Sequence, residues 1–157
     1  MLLTVLSTEL PVVLVHDWLD GTIPWGIRLI PFLYNRWYRR ACSRVIAGRR
    51  ADLTREAWIT AAVPVRLVET VSAIIASEYY WPYRMLFHPE DECFVLFCFW
   101  RRTWVDSLEL PCCIMRVEQQ LGVEVPDDIV PRLGKMLFGD FLRELVQLAQ
   151  ASPTSKL

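Results

Sequence analysis

The chain has 157 residues, of which 54% are hydrophobic and 22% are charged, and its formal net charge is −1. This length fits one domain, and this hydrophobic content provides for a packed core, which excludes general disorder. The near-neutral total also excludes a strongly basic protein that coats nucleic acid, so we predict no nucleic-acid partner.

Charge and cysteines are unevenly placed along the chain. Residues 1–56 carry a net charge of +3, residues 57–105 carry −1 and residues 106–157 carry −3, which predicts different partners for the two ends, or contact between them. The five cysteines include one adjacent pair, and this odd number indicates a reducing compartment. The apolar first fifteen residues are too short to span a bilayer and lack the features of a secretory signal, so we expect a cytoplasmic protein.

Residues 1–61 are predicted to form a basic, aromatic-rich helical extension. Residues 1–23 fit either a buried strand or a helix. A helix is expected from Pro31, which suits a first helical position, to a stop at Gly48. A second helix opens at "DLTREAW", where Asp52 or Thr54 would be the N-cap.

The first of these helices is rich in arginine. The basic side chains predicted to lie away from its apolar face are Arg36, Arg39, Arg40, Arg44, Arg49 and Arg50. They form a solvated face, or contact the acidic C-terminal part of the chain, or provide peripheral membrane contact through residues 24–50.

The middle of the chain contains one clear helix and one apolar segment. "VRLVETVSAIIASEYYW" at 65–81 has helical spacing and ends before Pro82. "CFVLFCFW" at 93–100 is apolar all round and predicts a short helix or an irregular packed segment. The spacing of His88, Cys93 and Cys98 fits no standard zinc pattern, so we predict no metal site.

The C-terminal part shows two further helices. One is expected from an N-cap at Ser107 to a stop at Gly122. The last helix begins near Asp140, and residues 151–157 are predicted to be a disordered tail. Its apolar stripe contains Leu137, Phe138, Phe141, Leu142, Leu145 and Leu148. No catalytic triad, Cys-His pair or phosphate-binding loop is present, so we predict no enzymatic activity.

Three stretches of the second half resemble the acyl carrier proteins, which carry phosphopantetheine in fatty acid and polyketide biosynthesis. They are "DSLEL" at 106–110, "IMRVEQQLGVEVPDD" at 114–128 and "FGDFLRELVQ" at 138–147. The resemblance implies an all-α fold, with an acyl-carrier-like helical bundle at residues 62–150 behind the N-terminal helical extension. It also implies 4′-phosphopantetheine on Ser107, within the cofactor-binding triplet Asp106, Ser107 and Leu108. The implied partners are a phosphopantetheinyl transferase and acyl-processing enzymes.

The sequence departs from the family at several positions. Bulky Trp104 lies just before the triplet, and Pro111 and Arg116 interrupt a helix that is usually acidic in the family. The "CFVLFCFW" segment could bury an acyl chain or fill the space where one would go. A second hypothesis therefore stays open, in which a degenerate carrier fold acts as a non-enzymatic protein-interaction module and Ser107 is only a helix cap.

Overall fold

The computed structural model describes residues 31–81, 87–97 and 108–151, with side chains described from residue 36 onward. These ranges are mostly helical and contain no strand, so the all-α prediction is confirmed for them. The predictions for residues 1–30 and for the tail beyond residue 151 lie outside the described residues. Seven helices occur in these ranges: α1 Pro31–Ala47, α2 Ala51–Thr60, α3 Val65–Glu78, α4 Cys93–Leu96, α5 Glu109–Leu121, α6 Ile129–Leu133 and α7 Phe138–Ala151.

Helix α1 has the predicted ends, from Pro31 to the residue before Gly48. Its buried side chains recur at helical spacing, which places them on one face against the core. They are Tyr38, Cys42, Val45 and Ile46. The helix is therefore held by its apolar face, as the sequence pattern indicates.

The N-cap predicted for α2 is wrong. The helix begins at Ala51, Arg50 holds the cap position, and no side chain caps the helix. Thr54 is buried, and its hydroxyl donates to the carbonyl of Arg50 at 3.0 Å. The early start lets Thr54 and Trp58, four residues apart, face the core together.

Helix α3 is confirmed, but it ends at Glu78, three residues before the predicted end. Tyr80 adopts a left-handed φ of 54°. The amide of Trp81 then donates back to the carbonyl of Ala76 at 2.8 Å, which closes the helix end. The turn occurs without glycine and leaves Tyr80 exposed.

The N-cap predicted for α5 at Ser107 is wrong, because Leu108 holds the cap position, no side chain caps the helix and the first helical residue is Glu109. The predicted end of α5 and the apolar pattern of α7 are confirmed. Helix α5 stops at Gly122, whose φ of 68° is the left-handed conformation that glycine adopts readily. Helix α7 buries Phe138, Phe141 and Leu145 among others. Leu137 departs from the predicted apolar stripe, because it precedes α7, is partly exposed and forms an isolated antiparallel bridge with Glu92.

This bridge is part of a close contact between the loop before α4 and the start of α7. The amides of Phe138 and Gly139 donate to the carbonyls of Asp91 and Pro89, at 2.7 and 2.8 Å. Two amides at the N-terminus of α7, which have no partner inside the helix, are thereby satisfied by the loop. Gly139 is buried at this contact.

Replacing Gly139 with Ala should lower the free energy of unfolding by about 1–2 kcal/mol. The new Cβ would lie 2.9 Å from the Pro89 carbonyl oxygen and 3.0 Å from the Pro89 Cβ, and this overpacking outweighs the gain in helix propensity. Urea unfolding measures the effect. Gly134→Ala is the matched control, since nothing lies within 4 Å of its Cβ, and it should be neutral or slightly stabilising. Equal stability of the two variants would contradict the contact.

The hydrophobic core is continuous from α1 to α7. Trp58 of α2 is buried, its indole N–H donates to the Phe87 carbonyl at 2.8 Å, and its ring packs edge-on against Phe138 at 5.5 Å. Tyr38 of α1 belongs to the same cluster of buried residues. The described part of residues 1–61 therefore shares its core with residues 62–150.

A buried ion pair joins the same two parts of the chain. Both terminal nitrogens of Arg49 donate to the Asp91 carboxylate, each at 2.6 Å, and the two side chains are 1% and 0% exposed. The backbone amide of His88 also donates to Asp91, at 2.7 Å. A charge buried this deeply depends on its partner, so the pair fixes the loop before α4 relative to the end of α1.

Candidate functional site

The site predicted from the sequence lies at the start of α5. Of its three residues the structure describes Leu108, while Asp106 and Ser107 lie outside the described residues. Leu108 holds the position before the first helical residue and is 65% exposed. The beginning of α5 is therefore at the protein surface, directly after Ser107 in the chain.

The backbone at this helix start is already helical. Leu108 has φ −85° and ψ −22°, and its carbonyl accepts from the amide of Cys112 at 3.0 Å. Pro111 is the third helical residue, where its missing N–H leaves no intrahelical bond unmade. The positive end of the α5 dipole is thus formed next to residue 107, where it favours a negatively charged group.

The outer side of α5 carries an apolar strip, which we call the α5 ridge and define as Leu108, Cys112 and Met115. The three positions are i, i+4 and i+7, so they lie on one side of the helix. All are exposed, Met115 by 53%. The opposite side is buried and includes Cys113, Ile114, Val117 and Leu121. Sequence reasoning missed the ridge, although the helical period of those buried residues could have located it.

Charged groups on α5 are partly used inside the protein. The Glu118 carboxylate accepts from the amide of Val125 at 2.8 Å, which holds the loop after α5. Arg116 pairs with Glu78 of α3 at 2.6 Å. Glu124, in the loop after α5, is exposed. None of these charged residues belongs to the α5 ridge.

The two adjacent cysteines of α5 differ in environment. Cys112 is exposed and Cys113 is buried, and both are free thiols. Burial, with the nearby Glu78 carboxylate adding to it, raises the pKa of Cys113 to about 12. At neutral pH Cys113 is protonated and acts as a core side chain.

The apolar segment before α5 fills the interior. In α4 and at its end, Cys93, Val95, Leu96 and Phe97 are almost fully buried. The Phe97 ring packs edge-on against Tyr79 and Phe141, at 5.7 and 5.8 Å between ring centres. The short helix predicted for this segment is confirmed over Cys93–Leu96. These side chains occupy core space between α3 and α7.

Residues 88–93 are engaged in structural contacts. The Asp91 carboxylate binds Arg49, and His88 Nδ1 accepts from the amide of Glu90 at 3.3 Å. Burial raises the pKa of the Cys93 thiol, so it stays protonated. Within the described ranges no group of three or more His, Cys, Asp or Glu is placed to hold a metal ion.

A surface cleft of about 580 Å³ lies on α6 and the start of α7. Six residues line it, of which four are charged: Pro131, Arg132, Lys135, Met136, Asp140 and Glu144. Arg132 pairs with Glu144 at 2.8 Å across the two helices.

Comparisons of the chain with protein-family models, curated protein sequences and solved structures each find no match. Among the described residues no single helix is long and apolar enough to cross a membrane. Helices α2 and α3 reach that length and composition only together, across a bend of 117°.

Proposed function

We propose that the chain is an acyl carrier or carrier-like protein, which holds an acyl or related group on a 4′-phosphopantetheine arm attached to Ser107. The observation that carries this proposal is the exposed start of α5 at Leu108, directly after Ser107 in the sequence. A transferase must bring a hydroxyl into its own active site, so the modified residue has to lie at an accessible position. A surface helix start meets that requirement.

In this proposal the chain has only to hold the phosphodiester and to present the attached group. The phosphodiester formed on Ser107 is negatively charged, and the positive end of the α5 dipole favours that charge. Asp106, by the resemblance to the carrier family, would contribute to the metal site of the modifying enzyme. The chain performs no catalysis itself and presents its thioester to other enzymes.

The α5 ridge is the surface that we propose for the transferase and for acyl-processing enzymes. Leu108, Cys112 and Met115 are exposed on the helix that follows Ser107. Exposed apolar side chains in a row are typical of the interior of a protein–protein contact. An enzyme that docks on this ridge would lie close to the start of α5.

The proposal is tested by co-expressing the full chain with a broad-specificity phosphopantetheinyl transferase and measuring its intact mass. We expect a gain of one phosphopantetheinyl group in the wild type and none in Ser107→Ala. The sample is reduced first, because exposed Cys112 could hold a thiol through a disulfide, whereas a phosphodiester survives reduction. A folded but unmodified wild type would contradict the proposal.

The second candidate function is a protein-interaction module built on a degenerate carrier fold. The observation that favours it is the dense packing around α4, where Val95, Leu96 and Phe97 occupy interior space that an acyl chain would need. The mass measurement separates the candidates, since a module needs no modification. A modified protein would favour the carrier function, and the position of the acyl chain would then have to be determined.

A further inference from the structure

Helix α1 presents a row of arginines to solvent, which we call the arginine ridge and define as Arg36, Arg40 and Arg44. All three side chains are exposed. They lie at i, i+4 and i+8, and because a helical turn has about 3.6 residues they follow one side of the helix over about 12 Å. The opposite side of α1 is buried in the core, which holds the ridge rigidly outward.

The other arginines of this region have partners inside the protein. Arg39 donates to the Tyr79 carbonyl and lies 5.8 Å from the centre of the Trp81 ring. Arg49 is buried against Asp91. Of the six arginines named in the sequence analysis for peripheral membrane contact, the three of the ridge therefore remain candidates. Arg50 is also exposed, but it pairs with Asp52.

The arginine ridge has no counter-charge of its own in the described part of the chain. Helix α1 contains no Asp or Glu, and none of the ion pairs found among the described residues involves Arg36, Arg40 or Arg44. Like charges four residues apart destabilise a helix. The three charges repel one another along this side of α1, and an external anionic surface would neutralise them.

We propose that the arginine ridge binds the anionic surface of a membrane, with α1 lying parallel to the bilayer. Guanidinium groups bind phosphate oxygens through two parallel hydrogen bonds, and a flat lipid surface accepts all three at once. A specific protein interface needs an apolar centre. The large exposed hydrophobic side chains among the described ones are Ile59, Tyr80, Leu108, Met115 and Leu137, and none lies between residues 36 and 47, the part of α1 that carries the arginine ridge.

The ridge alone gives weak binding, since three arginines supply only a modest attraction. The proposal is independent of the carrier function, because it concerns a different helix and needs no phosphopantetheine.

The test is co-sedimentation of the unmodified full chain with vesicles of phosphatidylcholine, with and without phosphatidylserine, at low salt. We expect binding only to the phosphatidylserine vesicles, with loss at about 1 M salt, where the Debye length is about 3 Å. Each arginine changed to Gln should weaken binding about five-fold, and Arg36→Gln/Arg40→Gln/Arg44→Gln together on the order of 100-fold.

The matched control is Arg55→Gln/Arg66→Gln/Arg143→Gln, which removes three exposed arginines elsewhere. Both triple variants change the net charge from −1 to −4, and circular dichroism checks that both are folded. The control should bind like the wild type. Equal loss in both variants, equal binding to pure phosphatidylcholine, or self-association in place of lipid binding would each overturn the proposal.

Discussion

Replacing Arg49 with Met should lower the free energy of unfolding by about 3–5 kcal/mol, because the Asp91 carboxylate would remain buried without its guanidinium. The pair is 1% and 0% exposed, with both contacts at 2.6 Å. Its loss would leave a buried carboxylate that still accepts from the amide of His88 at 2.7 Å but no longer faces a guanidinium. Urea unfolding followed by circular dichroism measures the change.

The neighbouring arginine provides the control for this prediction. Arg50 pairs with Asp52 at the surface, where the side chains are 57% and 63% exposed, so Arg50→Met should change stability by no more than about 1 kcal/mol. If Arg49→Met fails to fold, the double variant Arg49→Met/Asp91→Leu remains informative. It removes both charges and should recover much of the lost stability. Similar effects of the Arg49 and Arg50 variants would contradict the buried pair.

Replacing Trp58 with Ala should cost about 3–5 kcal/mol of unfolding free energy, through the cavity left behind and the lost hydrogen bond to the Phe87 carbonyl. Trp58 is 1% exposed and contacts Phe138. Trp58→Phe keeps most of the volume and should cost less. The control is Ile59→Ala at the next position, 65% exposed, for which a change within about 0.5 kcal/mol is expected.

Both predictions concern contacts between the first 61 residues and the rest of the chain. Arg49 and Trp58 lie before residue 62, while Asp91, Phe87 and Phe138 lie after it. If these contacts have the expected energies, residues 62–150 depend on the N-terminal part for their stability. Tests of Ser107 therefore require the full chain.

Helix positions could be predicted where a local signal fixes them. Pro31 at the start of α1 and Gly122 at the end of α5 are such signals, because proline fits a first helical position and glycine adopts the left-handed conformation readily. The end of α3 was missed by three residues because Tyr80, which is not glycine, takes the left-handed conformation. Tyr79 and Trp81, on either side of this residue, are buried, whereas Tyr80 is exposed.

Long-range contacts could not be predicted from the sequence. Arg49 and Arg50 are adjacent and identical in type, yet one is buried and the other is exposed. What distinguishes them is Asp91, 42 residues away along the chain. The side of a helix that meets the core follows from periodicity, but the identity of a partner on another element does not.

Some features of the candidate site could be predicted from the sequence, and others could not. The first-turn position of Pro111 follows from local sequence and is found in the structure, whereas the cap position predicted at Ser107 is held by Leu108, one residue later. The α5 ridge was missed, although the helical period of the residues buried on the other side of α5 could have located it. The roles of Asp106 and Ser107 stay predictions, drawn from the resemblance to carrier proteins.

The carrier hypothesis is tested most directly by locating the modification within the chain. The full-length protein is incubated with coenzyme A and a broad-specificity transferase, reduced, and digested with trypsin, which releases Ser107 in a peptide covering residues 103–116. We predict that this peptide gains one phosphopantetheinyl group and that fragmentation places it on Ser107. Folded protein whose peptide 103–116 stays unmodified, while a known carrier is modified in the same reaction, would contradict the account.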